Sequence, residues 1–256
     1  MTSLPYRLEQ VRAALDTVTD PEIDESVAAL EFISGIEVSD ENDVSIEFRL
    51  PTFWCAPNFA FMMASDMRDA VKEMDWVRSV SVKLLDHFSA DLINRGVALK
   101  QDFRDAFPGE TDDDLASVRL RFLGKAFERR QELLIRHLLG TSYKGEWITR
   151  VSLKDLMGLS LDAEGTRLRT LYIFAWRRLH PEWPEASLAF VALSGDPLDP
   201  GQLPSYMRKI GGVRRNAEYN GFICRSLLAE RKAECGETVN GETAYRRIGV
   251  SVNGER

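Results

Sequence analysis

Cysteine is scarce in this 256-residue chain: Cys55, Cys224 and Cys235 are the whole supply, and no two form a C-x-x-C pair. A disulfide framework and a zinc ribbon or finger are therefore not encoded. No apolar run approaches the roughly 20 residues needed to span a bilayer. The start, Met1-Thr2-Ser3-Leu4-Pro5, lacks the basic and apolar stretches of a secretory signal. The expected location is cytoplasmic, away from membranes. Histidine is equally sparse. His87, His137 and His180 stand alone, without HExxH or similar spacing, and read as structural or surface residues. GxxxxGKS/T, GxGxxG and GxSxG are all missing, so nucleotide hydrolysis, a Rossmann cofactor and hydrolase chemistry lose support.

What is present suits a protein with a real core: 44% hydrophobic and 29% charged residues. The net charge of -7 is unevenly spread. Residues 1–88 hold 17 acidic and 7 basic side chains, whereas residues 89–256 hold 23 and 26. An acidic first part argues against nucleic acid as partner, because phosphate contacts need Lys and Arg. The basic pairs Arg129-Arg130, Arg177-Arg178, Arg208-Lys209 and Arg214-Arg215 mark the second part. They read either as solvated helix surface or, around Gly211-Gly212, as a clasp for a carboxylate-rich partner face.

The expected architecture is α+β. A small N-terminal α/β sandwich, ordered α-β-β-α-β over residues 1–88, precedes a mainly helical docking domain over 89–235 and a flexible tail over 236–256. Leu8, Val11, Leu15 and Val18 recur at helical spacing up to Asp20-Pro21. Residues 32–39 and 44–50 alternate around the turn Asp40-Glu41-Asn42-Asp43, which predicts a β-hairpin. Pro57 opens a helix carrying Phe59, Met63, Met67, Val71 and Met74, and Val77–Leu84 makes a third strand. Further on, helices are predicted over Ala90–Phe107, from Thr111-Asp112-Asp113-Asp114 to Gly140, over Leu153–Gly158 and over Ala163–Leu179. Ser205–Ile210 reads as a short helix, Gly211-Gly212 as a break, and Ala217–Glu234 as the last helix, with Cys224 inside it and Cys235 near its end.

Cys55 is the foremost chemical candidate. It lies in Leu50-Pro51-Thr52-Phe53-Trp54-Cys55-Ala56-Pro57-Asn58, between a strand and a helix. A helix N-terminus favours thiolate, the form that binds soft metals and attacks electrophiles. The alternative is a small buried hydrophobe. Asp20 and Glu22, with Asp24, form an acidic turn, read either as a solvated helix end or as oxygen ligands beside the thiol. Met62, Met63, Met67 and Met74 read as core by their spacing.

Val11–Val18 leading into Asp20-Pro21-Glu22-Ile23, the hairpin, Thr52 to Cys55, a helix and Val77–Val82 together resemble the metal–sulfur cluster assembly domain of SufT-like and PaaD-like proteins. The likeness covers about residues 6–86. Here Ala56 stands between the cysteine and Pro57, where the family usually has proline directly, and the cysteine-rich zinc end of PaaD-like proteins is absent. The resemblance implies a non-catalytic maturation factor with Cys55, Asp20 and Glu22 as metal-binding residues. Its cofactor would be iron or a transient iron–sulfur cluster, with no nucleotide. Its partners would be cluster-assembly proteins or a client metalloenzyme, in the narrower version a multicomponent oxygenase. One thiol cannot hold a cluster that normally needs about four protein ligands, so ligation shared with a client or across a homo-oligomer is implied. The partner-binding residues would be Arg208, Lys209, Arg214 and Arg215. Two other readings stay open: an interaction adaptor with a buried Cys55, and a thiol enzyme using Cys55.

Overall fold

A computed structural model describes residues 3–109 and 114–234. The expected flexible tail, Cys235 and the cap residues Thr111, Asp112 and Asp113 lie outside the described residues. The elements are α1 (Leu4–Leu15), β1 (Ile33–Val38), β2 (Asp43–Arg49), α2 (Pro57–Lys72), β3 (Ser79–Leu85), α3 (Ala90–Ala98), α4 (Phe103–Ala106), α5 (Leu115–Leu139), α6 (Gly145–Ile148), α7 (Leu153–Met157), α8 (Ala163–Leu179) and α9 (Leu203–Glu234). This is an α+β fold, with a small three-stranded sheet in the first part and a mostly helical remainder. Among the described residues, no helix is long and apolar enough to cross a membrane.

The sheet has the order β1-β2-β3. β1 and β2 pair antiparallel, with Ile36 opposite Ile46 and Val38 opposite Val44. β2 and β3 pair parallel, with Ile46 opposite Val82 and Phe48 opposite Leu84. A parallel pair needs a crossover, and α2 provides it. Val44, Ile46 and Phe48 are buried, as their alternation requires. The α2 residues Ala60, Met63, Met67 and Val71 are buried in the same core, so these methionines act as packing groups.

The described residues form two compact units: one holds those up to Leu115 together with α9 from Gly221 on, and the other is Ala116–Asn220. Where the sequence pattern changes near residue 88, the first unit continues, because α3 and α4 pack into its core. Asn94 donates to the Leu84 carbonyl and accepts from its N–H, at 3.1 and 2.7 Å. Gly96 permits the closest approach: a Cβ there would stand 2.7 Å from Ala106 Cβ and 2.9 Å from a Phe61 ring carbon.

The second unit is built around Phe127, Leu134, Ile135, Tyr172, Trp176 and Phe190. One buried polar network crosses it. Gln131 donates to Tyr172 Oη at 3.0 Å and to the Val191 carbonyl at 2.8 Å, and accepts from Tyr206 Oη at 2.5 Å. The Tyr172 hydroxyl donates to the Ala189 carbonyl at 2.6 Å.

Two helix expectations are corrected. The predicted Ala90–Phe107 helix is two helices, because the chain turns at Lys100, with φ of 53°. The predicted break at Gly211-Gly212 does not occur, and α9 runs straight through it. Gly211 is buried, and a Cβ there would meet Glu132 Oε1 at 3.3 Å. The glycine serves close approach, not a turn.

Candidate functional site

The strand-to-helix loop after β2 carries Cys55, half-buried against the core of the first unit. Pro57 occupies the start of α2, where its missing N–H has no helical partner to lose. Thr52 Oγ1 lies 3.1 Å from Cys55 Sγ and forms a hydrogen bond with it.

His87 fixes this loop from the far end of β3. The chain turns sharply at Asp86, with φ of 54°, a left-handed conformation that aspartate tolerates. That turn directs His87 towards the Cys55 loop. The Ser89 N–H donates to Nδ1 at 3.1 Å, so the proton sits on Nε2, which donates to the Cys55 carbonyl at 2.8 Å. Burial holds the His87 pKa below its usual range; the Cys55 hydrogen bond opposes this and the Arg231 charge adds to it. His87 is thus a neutral anchor, the structural one of the two readings its isolated sequence position allows. Replacing it with alanine removes both bonds. We expect His87→Ala to cost about 1–3 kcal/mol and to speed alkylation of Cys55. Unchanged melting and unchanged labelling kinetics would remove this anchoring role.

Aromatic side chains edge the loop. Phe88 stacks on His87 at 4.8 Å, and its N–H donates to the Phe53 carbonyl at 3.1 Å. Phe53, Trp54 and Phe88 remain 48%, 72% and 53% exposed.

The acidic turn is built by Asp20. Its Oδ1 accepts the N–H groups of Glu22 and Ile23 at 2.9 and 2.8 Å, closing a tight turn that ends with Asp24 at φ of 57°. Asp20 is only 8% exposed, and burial raises its pKa to about 6 against the pull of those two N–H groups. Glu22 is exposed.

Cys224, on α9, belongs to the same unit and packs against the same core as Cys55. Burial pushes its thiol up to about 11, and the charges of Asp20, Cys55 and Glu22 add to the rise. Cys224 is thus a second thiol of this unit, one not assigned to the site by its sequence context. Its distance along the chain hid it, since no short-range spacing links it to Cys55. α9 is tied down by Arg231, which donates to the Leu50 carbonyl at 2.9 Å and pairs with Asp86 at 2.7 Å.

The donor set is soft and incomplete. Two thiols suit iron, zinc or a cluster, and the nearby carboxylates could add oxygen. Among the described residues, no three His, Cys, Asp or Glu side chains converge closely enough to hold a metal ion.

Of the second-unit cations, Arg208, Lys209 and Arg215 are exposed. Arg214 is held internally. It pairs with the buried Glu132 at 2.9 Å and with Glu218 at 2.6 Å.

The chain is 31% identical over 93 residues to an uncharacterized protein of Methanocaldococcus jannaschii, a match covering 36% of this chain and 96% of that protein. No solved structure matches the chain. Residues 8–84, which hold the acidic turn, the sheet, the Cys55 loop and α2, match the family described as iron-sulfur cluster assembly protein, and the chain belongs to that family.

Proposed function

We propose that this protein is a non-catalytic maturation factor that carries iron, or a transient iron–sulfur cluster, as cargo for a client metalloenzyme. The observation that carries this reading is the Cys55 loop. A half-buried thiol sits at the opening of α2 inside the family-matched residues, bonded to Thr52 and anchored through its carbonyl by His87. A thiolate there binds a soft metal, and an incomplete ligand set lets the cargo leave. Asp20 and Glu22 would supply oxygen ligands or shape the charge around it. The exposed rings of Phe53, Trp54 and Phe88 offer the client an aromatic surface beside the thiol. Arg208, Lys209 and Arg215 would meet an acidic face of a partner. A multicomponent oxygenase is the narrower client class.

The test is anaerobic reconstitution with iron and sulfide, followed by absorbance spectroscopy. The wild-type chain is expected to gain sulfur-to-iron charge-transfer bands, and Cys55→Ser to lose them. A wild-type chain that takes up no iron, or a Cys55→Ser variant with an unchanged spectrum, would refute the reading.

A further inference from the structure

The family-matched residues contribute one thiol, and α9, which lies outside them, brings another. We propose that Cys224 is a second metal-binding thiolate of the Cys55 site, so that α9 turns a one-thiol loop into a two-thiolate seat for a soft metal ion. This rests on the reading of Cys55 as a cargo-binding thiol.

Five contacts fix the face that α9 turns to the first unit. Gly221 comes so close to the acidic turn that a Cβ on it would meet Ile23 Cγ2 at 3.1 Å. Arg225 donates to Glu25 at 2.7 Å. Leu228 is buried in the core. Arg231 donates to the carbonyl of Leu50, the residue that opens the Cys55 loop. Lys232 donates to the Glu31 carbonyl at 2.8 Å. Positions 221, 225, 228 and 232 lie three or four residues apart and form one stripe. Cys224 is three residues after Gly221 and four before Leu228, on that stripe. It is therefore held between the acidic turn and the segment that leads into the Cys55 loop. Cys55 and Cys224 both pack on the same core.

Chemistry gives the pair a purpose. One thiolate binds iron(II) or cobalt(II) weakly, whereas two thiolates with open positions hold a soft cation and still admit ligands from a client. The long basic side chains Arg225, Arg231 and Lys232 clamp the helix by bonds to Glu25, Leu50, Asp86 and Glu31, which keeps Cys224 in place without a disulfide.

The experiment uses the full chain carrying Cys235→Ser, so that Cys55 and Cys224 are the thiols present. Cobalt(II) is titrated anaerobically, and the sulfur-to-cobalt charge-transfer band is read for its intensity, which grows with the number of bound thiolates. This protein is expected to show a two-thiolate intensity at one cobalt per chain. Cys224→Ser and Cys224→Ala should each halve the band and weaken cobalt binding by at least about tenfold, the lower end of what losing even a supporting group costs a metal site. A one-thiolate intensity in the protein with both cysteines would overturn the proposal, with no need for a folded variant. So would Cys224 variants that bind as tightly as their parent while Cys55→Ser does not bind, a result that leaves the cargo-binding reading of Cys55 intact. If the parent protein binds neither cobalt nor iron, both readings fall together.

Discussion

Arg214→Met is expected to destabilise the second unit by about 3 kcal/mol, the lower end of the usual cost of breaking a buried ion pair. The reason is Glu132, whose side chain is fully buried. Its carboxylate is balanced by Arg214 at 2.9 Å and by Arg136. Arg136 is largely exposed, so its charge is shared with water and offsets less of the burial of Glu132. Removing Arg214 leaves an under-compensated charge inside the unit. Replacing both partners should hurt less than replacing one, so Glu132→Met with Arg214→Met is expected to recover much of the loss. Denaturant midpoints of the two single variants and the double variant provide the measurement. A cost below about 1 kcal/mol for Arg214→Met, in the range of an ordinary surface pair, would show that Arg214 does not serve this internal role. The result also bears on partner binding. A charge reversal at Arg214 would mix lost stability with lost docking, whereas Arg208→Glu, Lys209→Glu and Arg215→Glu alter exposed cations and report on docking alone.

The first unit was largely legible because its signals are local. The alternation of Val44, Ile46 and Phe48 fixed β2, and Pro57 fixed the start of α2. The family resemblance rested on the same stretch that holds Cys55. What is not legible locally depends on contacts distant in sequence. No glycine or proline marks the turn at Lys100, so α3 and α4 read as one helix. Gly211-Gly212 reads as a break by local propensity, yet Glu132 occupies the space that a side chain on Gly211 would fill, and tertiary packing keeps the helix whole. His87 has no motif around it. Its role arises from the turn at Asp86 and from a carbonyl more than thirty residues away. Cys224 is the clearest case. Sequence spacing relates residues within a helix or loop, and nothing in that language brings α9 back to the acidic turn.

Asp20→Asn is expected to raise the stability of the first unit at neutral pH and to remove a pH dependence between about pH 4 and 6. Asp20 is buried, and burial raises its pKa from 3.8 to about 6. The folded protein therefore holds the Asp20 proton more tightly than the unfolded chain does. As pH rises through this window, the unfolded chain ionises first, and stability falls. Below about pH 4 both states are protonated and the penalty vanishes; above about pH 6 it is fully present. At roughly 1.4 kcal/mol per pKa unit, the penalty is on the order of 3 kcal/mol. Asparagine keeps the side-chain oxygen that accepts from Glu22 and Ile23, so the turn should survive the change. The wild-type and Asp20→Asn stability curves should converge near pH 4 and separate by about 2–3 kcal/mol at pH 7.5. A variant less stable than wild type at every pH would show that the carboxylate is wanted for the turn itself. Iron uptake by the same variant carries the functional half of the argument. A group that costs stability at neutral pH is retained where its charge serves activity. If the Asp20 carboxylate helps to hold cargo, Asp20→Asn should be the more stable protein and the poorer iron binder.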